Sequence, residues 1–476
     1  MTRFVLTALL LSLLHHPGAS AQSRALVGAT VIDGRGGRPL PDAVVLIEGD
    51  HITCVGSATE CPVPPGAERT ALEGRFVTPG LVDAHVHFSQ TGWLDGRPDG
   101  LSAPEVYPYE ETSRTLRENP GLLQRSYLCT GITAVYDVGG HPWTTSLPER
   151  YEHDPSGAHV RAAGPLVTHV SVPALQLDDE HYTFLPMGSD EEALASVDAV
   201  VAMGATSLKV WYLRVTPERQ ADMDARLEKI GDAARAAGLD LIVHATSLRE
   251  AKAALRAGAA LLVHSVEDQI VDAEFLELAR ATGTVYAPTL VVGGNWARAM
   301  ASVILDAPQP LDDPGGCVDP GTVTKVQSTT SLSDLLPERL RGNVEYVYQR
   351  MERVGRGRFV MAENLRRVHA AGITVATATD AGNPLTLHGP SIYSEMEAMQ
   401  GAGLSPADVV TMSTRNGAYA MGRLGDFGTL EAGKIADLLI LREDPTTDVG
   451  AFRTVTHVMR AGVMHRQGDL AYRPVS

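Results

Sequence analysis

Eight apolar, strand-like runs recur along the middle of the chain, at 76–87, 131–138, 159–168, 207–212, 240–245, 261–266, 284–290 and 374–380. Helix-like stretches such as 217–237 and 248–257 separate them. This alternation calls for parallel strands, because each return passage runs through a helix packed outside the sheet. An open doubly wound sheet and a closed barrel both satisfy it. Eight units favour closure, and no Gly-rich phosphate turn follows the first run. The expectation is an α/β chain whose residues 76–423 form a (β/α)8 TIM barrel. At 476 residues there is also room for a second, smaller unit.

That unit is expected from both ends of the chain. Short runs alternating apolar and polar residues occupy 25–33, 43–48 and 51–55, and again 436–441 and 454–462. Gly, Pro and Asp separate them, which marks strands. Neither set can stand alone, so the expectation is one small composite β-sandwich domain built from 22–75 and 424–476. Between runs seven and eight, 293–357 forms an insertion, of a length commonly used as a lid.

The first 21 residues have the form of a secretory signal peptide. Arg3 supplies the positive start, Phe4 to Leu14 is an apolar run of 11, and Ala19-Ser20-Ala21 offers small residues for cleavage before Gln22. Eleven residues cannot cross a bilayer, which takes about 20. The expectation is an export signal, no membrane span, and a secreted or periplasmic mature protein. In an oxidising compartment Cys54 and Cys61, seven apart around a turn, suit a local disulfide. Whether Cys129 and Cys317 pair is left open. Lys and Arg number 40 against 57 Asp and Glu, a net charge of −17. Such an excess argues against nucleic acid or anionic membrane as the main partner.

The chemistry is concentrated at strand ends. Run one ends Asp83-Ala-His85-Val-His87, and residues two apart on a strand face the same way. Run five ends at His244, run six carries His264, and run eight ends at Asp380. Run four embeds Lys209 in an apolar strand, where an ammonium is costly unless paired, neutralised or modified. Each residue alone has a bland explanation as a rim polar group. Four imidazoles, an amine and a carboxylate at the ends of strands of one barrel do not, and they point to metal ligation.

Set in that order, His85-X-His87, Lys209, His244, His264 and Asp380 resemble the binuclear-metal subtype of the amidohydrolase superfamily. Two flanking segments strengthen the likeness, Val77-Thr-Pro-Gly-Leu-Val-Asp-Ala-His85 and Gly428-Thr-Leu-Glu-Ala-Gly-Lys-Ile-Ala-Asp437. The subgroup is similar to the secreted imidazolonepropionase-related hydrolases, which include dipeptidases and N-acyl amino acid amidases. The resemblance implies one metal on His85, His87 and Asp380, a second on His244 and His264, and a carbamate formed on Lys209 from CO2 bridging both. It implies two divalent ions, Zn²⁺ first and Mn²⁺ or Co²⁺ as substitutes.

The implied reaction is hydrolysis of an amide or peptide C–N bond by a metal-bridging hydroxide, with Asp380 moving the proton. The substrate would be a small molecule or short peptide, and a homo-oligomer is compatible with it. Phosphotriester or lactone hydrolysis on the same ligand set, a mononuclear deaminase or imidazolone hydrolase, and a non-catalytic scaffold are the alternatives. Candidate substrate contacts just beyond strand ends are His141, His169, Tyr212 and His388. Two departures from the peptidase pattern, Tyr136-Asp137 before Val138-Gly139-Gly140 and Thr168-His169-Val170-Ser171, fall where a substrate carboxylate is usually held.

Overall fold

The computed structural model describes residues 23–473, so the expected export signal lies outside the described residues. The N-terminal stretch supplies β1 (Ser23–Val31), β2 (Leu40–Glu48), β3 (His51–Ser57), β4 (Glu68–Ala71) and β5 (Phe76–Pro79). The centre opens with β6 (Leu81–Val86), β7 (Ile132–Asp137), β8 (His159–Ala162), β9 (Leu166–Thr168) and β10 (Phe184–Pro186). It continues with β11 (Ser207–Trp211), β12 (Asp240–His244), β13 (Leu261–Val263) and β14 (Val285–Ala287). Near the C-terminus come β15 (Leu438–Leu441), β16 (Val455–Arg460) and β17 (Val463–Arg466).

Both termini build one unit, connected by its pairing as an eight-stranded mixed sheet. Its order is β17-β16-β15-β5-β1-β2-β3, with β4 also on β1. The reason is β5, which pairs with β1 on one side and β15 on the other and so joins the two ends edge to edge. Leu26, Val31 and Val45 from the first half share one buried cluster with Val77, Leu438 and Ile440. Run one is therefore divided at Gly80 between the terminal sheet and the central strands. A side chain there would force Thr133 to move, since a Cβ would sit 2.0 Å from its Oγ1.

The central strands are parallel throughout, but they form two sheets, β6-β7-β8 and β10-β9-β11-β12-β13-β14. The runs follow one another in the order that the expected (β/α)8 barrel requires, but among the described residues no continuous eight-strand ladder is present. Two local causes account for this. Run three bends at Ala163-Gly164-Pro165, with Gly164 at φ +70°, so β8 pairs with β7 while β9 pairs with β11. Run eight is laced to its neighbours by single bridges instead of a ladder. Tyr286 N–H donates to Thr374 O at 2.9 Å on one side, and Asp380 N–H donates to His85 O at 2.8 Å on the other. Lower down, the end of a helix intervenes: Thr377 N–H donates to Met412 O and Val82 N–H to Ser413 O. Backbone groups that would otherwise pair strand to strand are satisfied there instead.

The 293–357 insertion is folded. It contains most of helix Val292–Ile304, helix Pro320–Gln327 and the start of helix Val344–Ala370. Ala299, Val303, Val326 and Leu332 bury themselves against Trp93 and Leu94 in a core of their own. A disulfide between Cys129 and Cys317 ties the insertion to helix Gly121–Cys129, which answers the open pairing question. Cys54 and Cys61 form the expected local disulfide. No helix among the described residues is long and apolar enough to cross a membrane.

Candidate metal centre and active site

Period-two geometry places His85 on β6 and His87 one residue past its end, both facing inward. Their Nε2 atoms lie 3.2 Å apart. Asp380 Oδ1 is 3.3 Å from His85 Nε2 and 2.9 Å from His87 Nε2. His87 is oriented from behind, its Nδ1–H donating to Gly139 O at 2.5 Å. That bond leaves Nε2 as the lone-pair nitrogen, the arrangement a metal-ligating imidazole needs. Asp83 fastens the strand to run eight: it accepts from His85 N–H at 3.2 Å, Thr379 N–H at 3.0 Å and Thr379 Oγ1–H at 2.6 Å.

The second cluster adjoins the first. The His244 and His264 rings are 4.4 Å apart between centroids, and His264 is 5.1 Å from His85. His264 Nδ1 lies 2.8 Å from Thr289 Oγ1, which fixes that ring as well. Three of these residues have left-handed backbones: His264 at φ +76°, Thr289 at +47° and Asp380 at +64°. A β-branched threonine is costly there, and such strain persists where surrounding structure over-determines it. Lys209, in the middle of β11, is 1% exposed. Burial pushes its ammonium down to about 7, against the opposing pull of Asp380. Burial also holds His85, His244 and His264 well below the usual histidine range, with the positive charge of Lys209 adding to it. These imidazoles are neutral, with lone pairs to offer.

All six side chains line one cavity of about 760 Å³. Its walls carry Leu166, Phe184, Trp211 and Trp296, and the Phe184 and Trp211 rings stack at 5.3 Å. The insertion reaches the cavity through Trp296, Arg350 and Arg353. The donor set fits a metal. The ligand atoms of His85, His87 and Asp380 lie within 4.8 Å of one another, all on buried residues, and imidazole nitrogen with carboxylate oxygen suits Zn²⁺ or its neighbours.

The four candidate substrate contacts are placed otherwise, since none lines the cavity. His141 is buried and meets Tyr109 Oη at 3.0 Å. His388 is held between Tyr127 Oη at 2.6 Å and Gln90 O at 2.8 Å. Tyr212 is 1% exposed and donates its hydroxyl to Asp224 at 2.5 Å. His169 is half-buried in the loop after β9. Their hydrogen bonds, where they have them, anchor loops and helices. The sequence offered no sign of Arg97 and Trp296 beside the site; Asn383, three residues beyond Asp380, was within reach of it.

A family model for the amidohydrolase family matches residues 76–464. The chain belongs to the amidohydrolase family. This amidohydrolase is 26% identical to an imidazolonepropionase of Caulobacter vibrioides over 444 residues, 87% of this chain and 90% of that one. It is also 26% identical to an imidazolonepropionase of Micrococcus luteus over 451 residues, 91% and 96% of the two chains. Among solved structures, a Xaa-Pro dipeptidase with bound methionine has a TM-score of 0.67 at 20% identity, covering 93% of this chain and all of that one. An Aspergillus niger ochratoxinase has a TM-score of 0.65 at 19% identity, covering 94% and 96%. At those identities the structural likeness speaks for the fold alone. Family and relatives together make the chain an amidohydrolase-type hydrolase acting on C–N bonds.

Proposed function

We propose that the protein is an exported, binuclear metal-dependent hydrolase that cleaves an amide or peptide bond in a small substrate. The observation that carries this reading is the convergence of His85, His87, Lys209, His244, His264 and Asp380 on one cavity. His85, His87 and Asp380 would hold one divalent ion and His244 and His264 the other, with a carbamate on Lys209 between them. An amine brought down to about 7 is partly neutral there and could add CO2 with loss of a proton, and the carbamate would bring two oxygens to a nitrogen-rich site. Ions in those positions would polarise the scissile carbonyl and activate a water. Asp380 would take a proton from that water and pass it to the leaving nitrogen. The hydrogen bonds of His87 to Gly139 O and of His264 with Thr289, together with burial, hold the ligands in position and limit bulk water.

The aromatic and aliphatic walls favour a substrate with an apolar moiety, as an N-acyl amino acid or an apolar dipeptide would have. Two disulfides support an oxidising destination, in keeping with the signal expected over 1–21. The second reading is a mononuclear imidazolone hydrolase, favoured by the imidazolonepropionase relatives. Lys209 within the cavity speaks for two ions over one.

The test is Zn²⁺-loaded protein screened against dipeptides, N-acyl amino acids, lactones and phosphotriesters, with metal content measured alongside. About two ions per chain and turnover of amides, lost in Asp380→Asn, are expected. One ion per chain, or an Asp380→Asn form as active as the parent, overturns the reading.

A further inference from the structure

Asn383 contributes nothing to the ligand set, yet it is 3% exposed and touches Asp380 directly. Its Nδ2–H donates to Asp380 Oδ1 at 2.7 Å and to the Asp380 main-chain carbonyl at 3.1 Å. Its Oδ1 accepts from Trp296 Nε1–H at 3.0 Å and from Arg97 Nη1–H. Arg97 is itself fixed: Asp99 receives its Nε–H at 2.8 Å and its Nη2–H at 2.7 Å, and its guanidinium lies 4.8 Å over the Trp296 ring.

This surrounding decides which way the amide points. Arg97 and Trp296 offer only N–H groups, so the face of Asn383 turned towards them has to be the carbonyl. The amino group is then forced onto Asp380, whose carboxylate can only accept. A reversed amide would set donors against donors on one side and acceptor against acceptor on the other.

We infer that Asn383, locked in orientation by Arg97 and Trp296, is a positioning residue for Asp380, dividing the labour of its two carboxylate oxygens. Oδ1 is drawn to the His85–His87 side, where it lies 2.9 Å from His87 Nε2. Oδ2 is turned towards His264, 4.0 Å from its Nδ1. One oxygen is committed to the ligand cluster and the other is left for proton transfer. Trp296 belongs to the insertion, so the 293–357 segment supports the catalytic carboxylate through a single amide. The inference rests on Asp380 being ligand and proton carrier.

The test is a double-mutant cycle on the Zn²⁺-loaded full chain, using Asn383→Ala, Trp296→Phe and the pair, with two readouts. One is Zn²⁺ affinity by chelator competition, which needs no substrate; the other is kcat and KM on the amide that the screen finds. Asn383→Ala is expected to lower kcat by about 10- to 100-fold with KM within about twofold, and to weaken Zn²⁺ binding about tenfold. Trp296→Phe keeps a ring but loses the N–H, and is expected to move both quantities in the same direction by about threefold. The pair is expected to be no worse than Asn383→Ala alone. Parental kcat and Zn²⁺ affinity in Asn383→Ala, or a pair whose losses multiply, overturns the inference. If Asn383→Ala fails to fold, unchanged affinity and kcat in Trp296→Phe overturns it instead. Failure of the parent on every amide would sink the amidase reading, while the Zn²⁺ cycle would still report on Asn383.

Discussion

His87 and Gly139 stand 52 residues apart in the chain, and the Nδ1–H of the first donates to the carbonyl of the second at 2.5 Å. The carbonyl belongs to the turn after β7, so the strand next to β6 sets the direction in which the His87 lone pair points. Gly139 adopts φ +154°, and a Cβ there would come within 2.7 Å of the Leu166 side chain. Gly139→Ala is therefore expected to displace the carbonyl and loosen His87. Metal analysis after dialysis should show the substituted protein losing one ion more readily than the parent, with activity down about tenfold or more.

Lys209 is expected to be modified and to be required for the metal pair. Lys209→Ala should retain less than one full ion complement and lose about 10²-fold or more of its activity. Short carboxylates such as formate or acetate, able to enter the gap and offer an oxygen pair, should restore part of both. Mass spectrometry under CO2-saturated and CO2-stripped conditions, combined with the rescue titration, checks this. Full activity in Lys209→Ala without added carboxylate would show the lysine to be structural.

Acid sensitivity is expected at the ion pairs around Glu152, at the end of helix Leu147–Glu152. His159, 3.7 Å from Glu152 Oε2, and the two-pronged Arg423 contact at 2.8 and 3.1 Å hold Glu152 well below the usual carboxylate range. A depressed folded-state pKa means that the unfolded chain takes up protons first, so this stabilisation is present above about pH 4.5 and falls away below it. Glu152→Gln should lower Tm at pH 7 and narrow the gap to the parent as pH drops towards 3. Thermal melts across that range read the effect, and a constant Tm difference would exclude it.

The Cys129–Cys317 disulfide closes a loop of 188 residues and anchors the insertion that carries Trp296. Long closed loops restrict the unfolded chain most, and loss of a native disulfide commonly costs about 2–5 kcal/mol. The Cys129→Ser/Cys317→Ser protein is expected to melt several degrees lower. Because the insertion has its own buried core, the metal content at 25 °C should be nearly unchanged. Calorimetry and metal analysis together check both halves of this statement.

The ligand set was legible in the sequence for a simple reason. A strand alternates its side chains with period two, so His85 and His87 declare a shared face from spacing alone, and an apolar run that ends on His244, His264 or Asp380 declares a strand end. Lys209 was visible because an ammonium in an apolar strand needs a reason to be there. Loop residues carry no such period. His141, His169, Tyr212 and His388 looked alike in the sequence, and only packing showed that none lines the cavity.

Sequence by itself determined the alternation of strand and helix, the six convergent side chains and the participation of both termini in one unit. Those follow from local chemistry and from periodicities a few residues long. Tertiary structure alone decided that β5 joins the two ends as one sheet, that a helix end interrupts run eight, and that Cys129 meets Cys317. It also decided that Arg97, 286 residues away, turns the amide of Asn383 towards Asp380. Each of these depends on which surfaces meet once the chain is compact, and no short-range pattern records that meeting.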